Sequence, residues 1–116
     1  MNDTKSRYTT EEKLQIAETI FAQMGGKGRL ASMIGAKDFA FSTDSDGNPI
    51  ARFRFAAKAK NKANYVQVAL TPADLYKVTF FRLRKFDFDN LGETEGVYSD
   101  MLVELFESET GLFLTF

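Results

Sequence analysis

The sequence has no cysteine, no histidine and no tryptophan, and only two prolines in 116 residues. Without thiol or imidazole there is no Cys-His or Ser-His-Asp nucleophile, no disulfide and no ordinary zinc site. A general acid or base would have to be a carboxylate, an amine or a phenol with a displaced pKa. These absences lead us to expect a non-enzymatic binding protein with no cofactor. No run of about eighteen apolar residues occurs, so no membrane-spanning helix is expected. The opening residues, MNDTKSRYTTEEK, lack the apolar stretch of a secretory signal. A cytoplasmic location is therefore expected.

What is abundant is phenylalanine, with twelve residues, and charge of both signs that nearly cancels to −1. The cancellation hides a segregation. Residues 51–85 carry nine basic side chains against Asp74 alone, a balance of +8, whereas residues 86–116 carry eight acidic side chains and no basic one. Such asymmetry along a chain points to a charged interaction surface.

The stretch 64–85, NYVQVALTPADLYKVTFFRLRK, reads as two strands around a Thr71-Pro72-Ala73-Asp74 turn. Val66, Val68 and Leu70 alternate with Tyr65, Gln67 and Ala69, the period of a half-buried strand. Pro72 suits the second position of a type I turn, whose φ its ring already holds. The second strand is apolar on both parities, with Tyr76, Val78 and Phe80 on one and Leu75, Phe81 and Leu83 on the other. It should therefore be central and covered on both faces, either by helices on opposite sides or by a second copy of the chain.

Before this pair, Leu14, Ala17, Ile20, Phe21 and Met24 recur at helical spacing. Thr9 or Thr10 offers a cap, and Gly25-Gly26 offers a stop. A short helix carrying Leu30, Met33 and Ile34 follows and closes at Gly35. The GGKGR between these helices lacks the spacing of a phosphate-binding loop and reads as an elbow. Phe39 and Phe41 begin the sheet. Asp44-Ser45-Asp46-Gly47-Asn48-Pro49 resembles the start of a calcium loop, but Phe55 stands where such a loop needs a glutamate, so a hairpin turn is expected. Residues 50–57 form the next strand, 86–96 an acidic loop, and Val97, Met101, Leu102, Leu105 and Phe106 mark a last helix ending at Gly111. Residues 112–116 read as a short strand or an apolar tail on the sheet.

The expected fold is α+β: a mainly antiparallel meander of four to five strands, two main helices and one short one. Residues 1–8 are expected as a flexible tail and 9–116 as one domain. The predicted core includes Phe21, Phe53, Val66, Val68, Phe80, Leu102, Leu105 and Phe106.

Three stretches, GGKGRLASMIGAKDF (25–39), KANYVQVAL with DLYKVTFFRLR (62–84), and VYSDMLVELFESETGLFLTF (97–116), resemble small uncharacterised proteins encoded by phages and mobile elements. The resemblance implies a phage or mobile-element origin and the cytoplasm of a bacterial host. It implies no catalytic residue.

Three functional readings follow. In the first, the chain is a phage-type accessory protein that binds a host or phage protein, acting against a host defence. In the second, it is a nucleic-acid-binding module. Arg52, Arg54, Lys58, Lys60 and Lys62 share one parity, and on a continuous strand they would form a row of cations about 6–7 Å apart. Tyr65 is then a stacking candidate, and Arg82 and Arg84 extend the patch. In the third, the acidic segment imitates nucleic acid.

Overall fold

The computed structural model describes residues 8–114. Helix α1, Thr10–Gln23, opens with a capping box: the Thr9 hydroxyl accepts from the Glu12 N–H, and the Glu12 carboxylate accepts from the Thr9 N–H. The chain turns at Gly25 and Gly26 into α2, Lys27–Ile34. The glycine stretch is an elbow, and Lys27 reaches back to Glu18 at 2.7 Å.

Five strands follow: β1 Lys37–Thr43, β2 Pro49–Arg54, β3 Tyr65–Leu70, β4 Tyr76–Leu83 and β5 Phe88–Val97. They lie in sequence order, each antiparallel to its neighbours. Short turns enforce this arrangement. At the β1–β2 turn the Asp44 carboxylate accepts from the Asp46 and Asn48 N–H groups, both at 2.9 Å. At the β3–β4 turn the Asp74 N–H donates to the Thr71 carbonyl at 2.9 Å, as the Thr-Pro-Ala-Asp pattern predicts. After one 3-10 turn, Ser99–Met101, the chain forms α3, Leu102–Thr110, which ends at Gly111 in the left-handed conformation.

All three helices contribute to one apolar cluster on one face of the sheet. Ala17, Ile20 and Phe21 of α1, Leu30 and Ile34 of α2, and Leu102 and Phe106 of α3 meet Phe53, Val66, Val68, Val78 and Phe80. Phe53 lies at its centre, with the rings of Phe21, Phe39, Phe55 and Phe106 at centroid distances of 5.4–6.5 Å. Ring pairs at such separations contribute about 0.5–1.5 kcal/mol each beyond their buried area. The predicted core residues are buried except Leu105, which is half-buried at the margin, and Leu14 of α1 is exposed.

Three sequence expectations are corrected. The stretch 86–96 is mostly strand: β5 pairs with the whole of β4, with irregularities between Tyr76 and Val78 and between Phe80 and Phe81. It is an edge strand exposed at almost every position, so no burial period marks it in the sequence. Asp89, Glu93 and Glu95 on it suit an edge that must not pair with another chain. Second, β4 is not covered by helices on both sides. On its far face Phe81 packs against Tyr65 at 5.6 Å and Phe88 at 5.5 Å, and Phe81 and Tyr65 are below 10 % exposed within one chain. Third, β2 stops at Arg54 and does not run to residue 57. Of the C-terminal segment, Leu114 is buried as an apolar tail and no strand forms through 114; residues 115 and 116 lie outside the described residues. The tail expected over residues 1–8 lies outside them too, apart from Tyr8.

Candidate functional site: a basic concavity at one end of the sheet

The departure of the chain from the sheet after Arg54 builds the site. The N–H groups of Ala56 and Ala57 both donate to the Ile34 carbonyl at the end of α2, at 3.1 and 3.0 Å. That carbonyl belongs to the last turn of α2, where intrahelical partners run out, so it draws the chain away from β3. Gly35 makes room for this approach: it sits at φ 68, and a Cβ there would lie 3.0 Å from the Ala56 Cβ. Further along, the Lys60 N–H donates to the Thr110 carbonyl at the end of α3, at 2.8 Å. The Phe55 N–H then donates to the Asn64 carbonyl at 3.0 Å and closes the loop.

The connection 55–64 is thus strapped to the C-terminal ends of two helices. Its alternation of alanine and lysine resembles a strand, yet it is a loop. Ala59 and Ala63 are buried, whereas Lys58, Lys60 and Lys62 are exposed. Lys62 adopts φ 71, which ends any regular row of side chains.

A concavity of about 450 Å³ opens beside this strap, and Lys37, Arg54, Lys58, Lys62 and Arg82 all line it. Among the described residues its lining includes no carboxylate. The antiparallel register places Lys37 opposite Arg54. Arg82 is held by a bond from Nη1 to the Lys62 carbonyl at 3.0 Å. Arg54 has one loose ion pair, 3.7 Å to Asp38, with both side chains about half exposed.

The meander explains why cations gather here. A chain that reverses at each strand returns to the same end after every second strand. The 55–64 connection and the 84–87 turn therefore share one end, carrying Lys58, Lys60, Lys62, Arg84 and Lys85 with Asp87 as their one acidic residue. The 44–48 and 71–75 turns share the other, carrying Asp44, Asp46 and Asp74.

The structure brings together four of the residues singled out from sequence: Arg54, Lys58, Lys62 and Arg82. It separates the others. Arg52 is half-buried on the open sheet face, where its Nη1 donates to the Tyr65 hydroxyl at 3.0 Å and its Nε is buried without a partner. Tyr65 is buried beneath that network, with Gln67 also donating to its hydroxyl at 3.2 Å, so its ring face is not free to stack. Lys60 lies over Gly111, where an added Cβ would come within 3.4 Å of its Cδ. Arg84 is engaged by Asp89 and Asp87, which raise its pKa above the ordinary guanidinium value. The residue that sequence reasoning missed is Lys37. It stands seventeen positions before Arg54 and only the β1–β2 register joins them.

Among the described residues no group of three or more carboxylates is placed to hold a metal ion, and no helix is long and apolar enough to cross a membrane. Comparison with protein-family models, with curated protein sequences and with solved structures finds no match to this chain.

Proposed function

We propose that this protein acts by binding nucleic acid, without catalysis, and that the basic concavity is its phosphate-binding site. One observation carries the reading: five cationic side chains from four separate chain segments line one concavity whose lining has no carboxylate. Like charges brought together repel, so folding gains nothing from this arrangement, and an external polyanion would relieve it. Arginine and lysine on a concave surface are the usual means of holding phosphates. No carboxylate of the acidic segment lines the concavity: Asp87 and Asp89 pair with Arg84, and Glu93, Glu95, Asp100, Glu104 and Glu109 are exposed along β5 and the turn and helix that follow it. That dispersal also makes an acidic imitation of nucleic acid the weaker reading.

The test is a fluorescence anisotropy titration of labelled DNA and RNA at roughly 50 mM salt, where screening acts over about 14 Å. Binding that weakens steeply with salt supports the reading. No binding of DNA or RNA at that ionic strength overturns it and returns the protein-partner reading to first place.

A further inference from the structure

We infer that the nucleic acid held by the concavity is single-stranded, and that Phe86 and Phe88 at the tip of the β4–β5 hairpin form its base-stacking surface. The inference rests on the proposed function and adds the class of ligand to it.

Phe86 is 90 % exposed and Phe88 is 62 % exposed, in a protein that buries Phe21, Phe53, Phe55, Phe80, Phe81 and Phe106 almost completely. The tip is nevertheless ordered. The Arg84 N–H donates to the Asp87 carbonyl at 2.8 Å, and Arg84 is clamped by Asp87 and Asp89. Phe88 stands on a ladder of rings: it meets Phe81 edge-on at 5.5 Å, Phe81 meets Tyr65 at 5.6 Å, and the Tyr65 hydroxyl is bonded by Arg52 and Gln67. The lower rungs are buried and the top rung faces solvent, so the Phe88 ring is oriented before anything binds. Phe86 has the Lys85 ammonium 5.6 Å from its centroid.

The rings are tied to the phosphate site. Phe88 pairs with Leu83, whose N–H and carbonyl are both bonded by the side chain of Asn64, a residue lining the concavity. Arg82, also in the lining, adjoins Leu83 in β4, with its side chain on the opposite face of the sheet from Leu83 and Phe88. The concavity and the tip share one end of the sheet, so a strand with its phosphates in the concavity would carry its bases round that end toward the rings. Exposed aromatic rings beside a basic groove are the arrangement that captures unpaired bases, since every base offers a π face. Bases stacked inside a duplex cannot reach such rings.

The experiment compares a twelve-nucleotide oligothymidine, its RNA counterpart and a blunt duplex of equal length. It uses the wild type, Phe86→Ala, Phe86→Ala/Phe88→Ala, Phe86→Trp and Lys58→Gln/Lys62→Gln. Wild type should prefer single strands to duplex by about tenfold or more, the order expected for one stacked base. The double alanine variant should lose that preference with its salt slope unchanged, and Phe86→Trp should keep it. Phe86→Ala alone, at a position 90 % exposed, should weaken single-strand binding with thermal unfolding unchanged, which separates lost stacking from altered folding. Equal affinity for duplex and single strand, or single-strand binding untouched by removal of both rings, overturns the inference while leaving the concavity reading standing. Absence of all binding by wild type overturns the concavity reading itself.

Discussion

The side chain of Asn64 holds both backbone groups of Leu83: Oδ1 accepts from the Leu83 N–H at 2.7 Å, and Nδ2 donates to the Leu83 carbonyl at 3.0 Å. An amide side chain here does the work of a strand residue and prolongs β3–β4 pairing beyond Tyr65. Asn64→Ala removes both bonds, and each contributes about 0.5–1.5 kcal/mol. The expected loss is about 1–3 kcal/mol, measured by urea unfolding. Asn64→Asp should be worse, because it sets a carboxylate oxygen against the Leu83 carbonyl.

The second prediction concerns the core. Phe106 brings α3 onto Phe53, Phe55 and Phe80 and is almost fully buried, whereas its neighbour Leu105 is half-buried. Phe106→Ala should cost about 3–5 kcal/mol, and Leu105→Ala clearly less. Equal thermal shifts for the two would show that α3 is not seated through Phe106.

The third concerns pH. The Tyr76 hydroxyl donates to Gln23 Oε1 at 2.8 Å. Burial raises its pKa above the ordinary phenol value; the Gln23 bond opposes the rise and the charge of Asp74 adds to it. A raised folded-state pKa means that the folded protein keeps the proton which the unfolded chain releases. This contribution is complete below about pH 10, the unfolded value, and is lost as pH rises through the folded value. The stability difference between wild type and Tyr76→Phe should therefore be constant below about pH 10 and shrink as pH rises above it. A difference independent of pH would contradict the burial of the hydroxyl.

The fourth separates the cations of the concavity from those merely near it. With five phosphate contacts, single-strand binding should show a log–log salt slope of about −3.5, at about −0.7 per contact. Lys58→Gln/Lys62→Gln should flatten the slope by about 1.4 on the same basis. Arg84→Gln should leave it unchanged, since Asp87 and Asp89 already engage that guanidinium. A larger effect from Arg84 than from the two lysines would move the phosphate site to the hairpin tip.

Much of this molecule was legible without coordinates. Absent histidine and cysteine removed whole classes of chemistry. Thr9 and Gly25 bracket α1, the Asp44–Asn48 and Thr71–Asp74 turns require antiparallel neighbours, and strand alternation assigns Phe53, Val66 and Val68 to the core. Each of these signals lies within a few residues, where backbone geometry and side-chain period impose themselves directly. Tertiary structure decided the rest. β5 has no burial period because its order comes from hydrogen bonds to β4, and an edge exposed along its length leaves no mark in hydrophobicity. The lysine row ends because the Ile34 carbonyl, twenty-two residues before Ala56, takes the N–H groups that would have continued β2. Lys37 joins the concavity only through its register with Arg54, and Arg82 only through its bond to the Lys62 carbonyl. Local sequence sets the period and the turns, but partners distant along the chain set where a strand stops and which charges meet. Those depend on competition for hydrogen bonds that only the folded chain brings within reach.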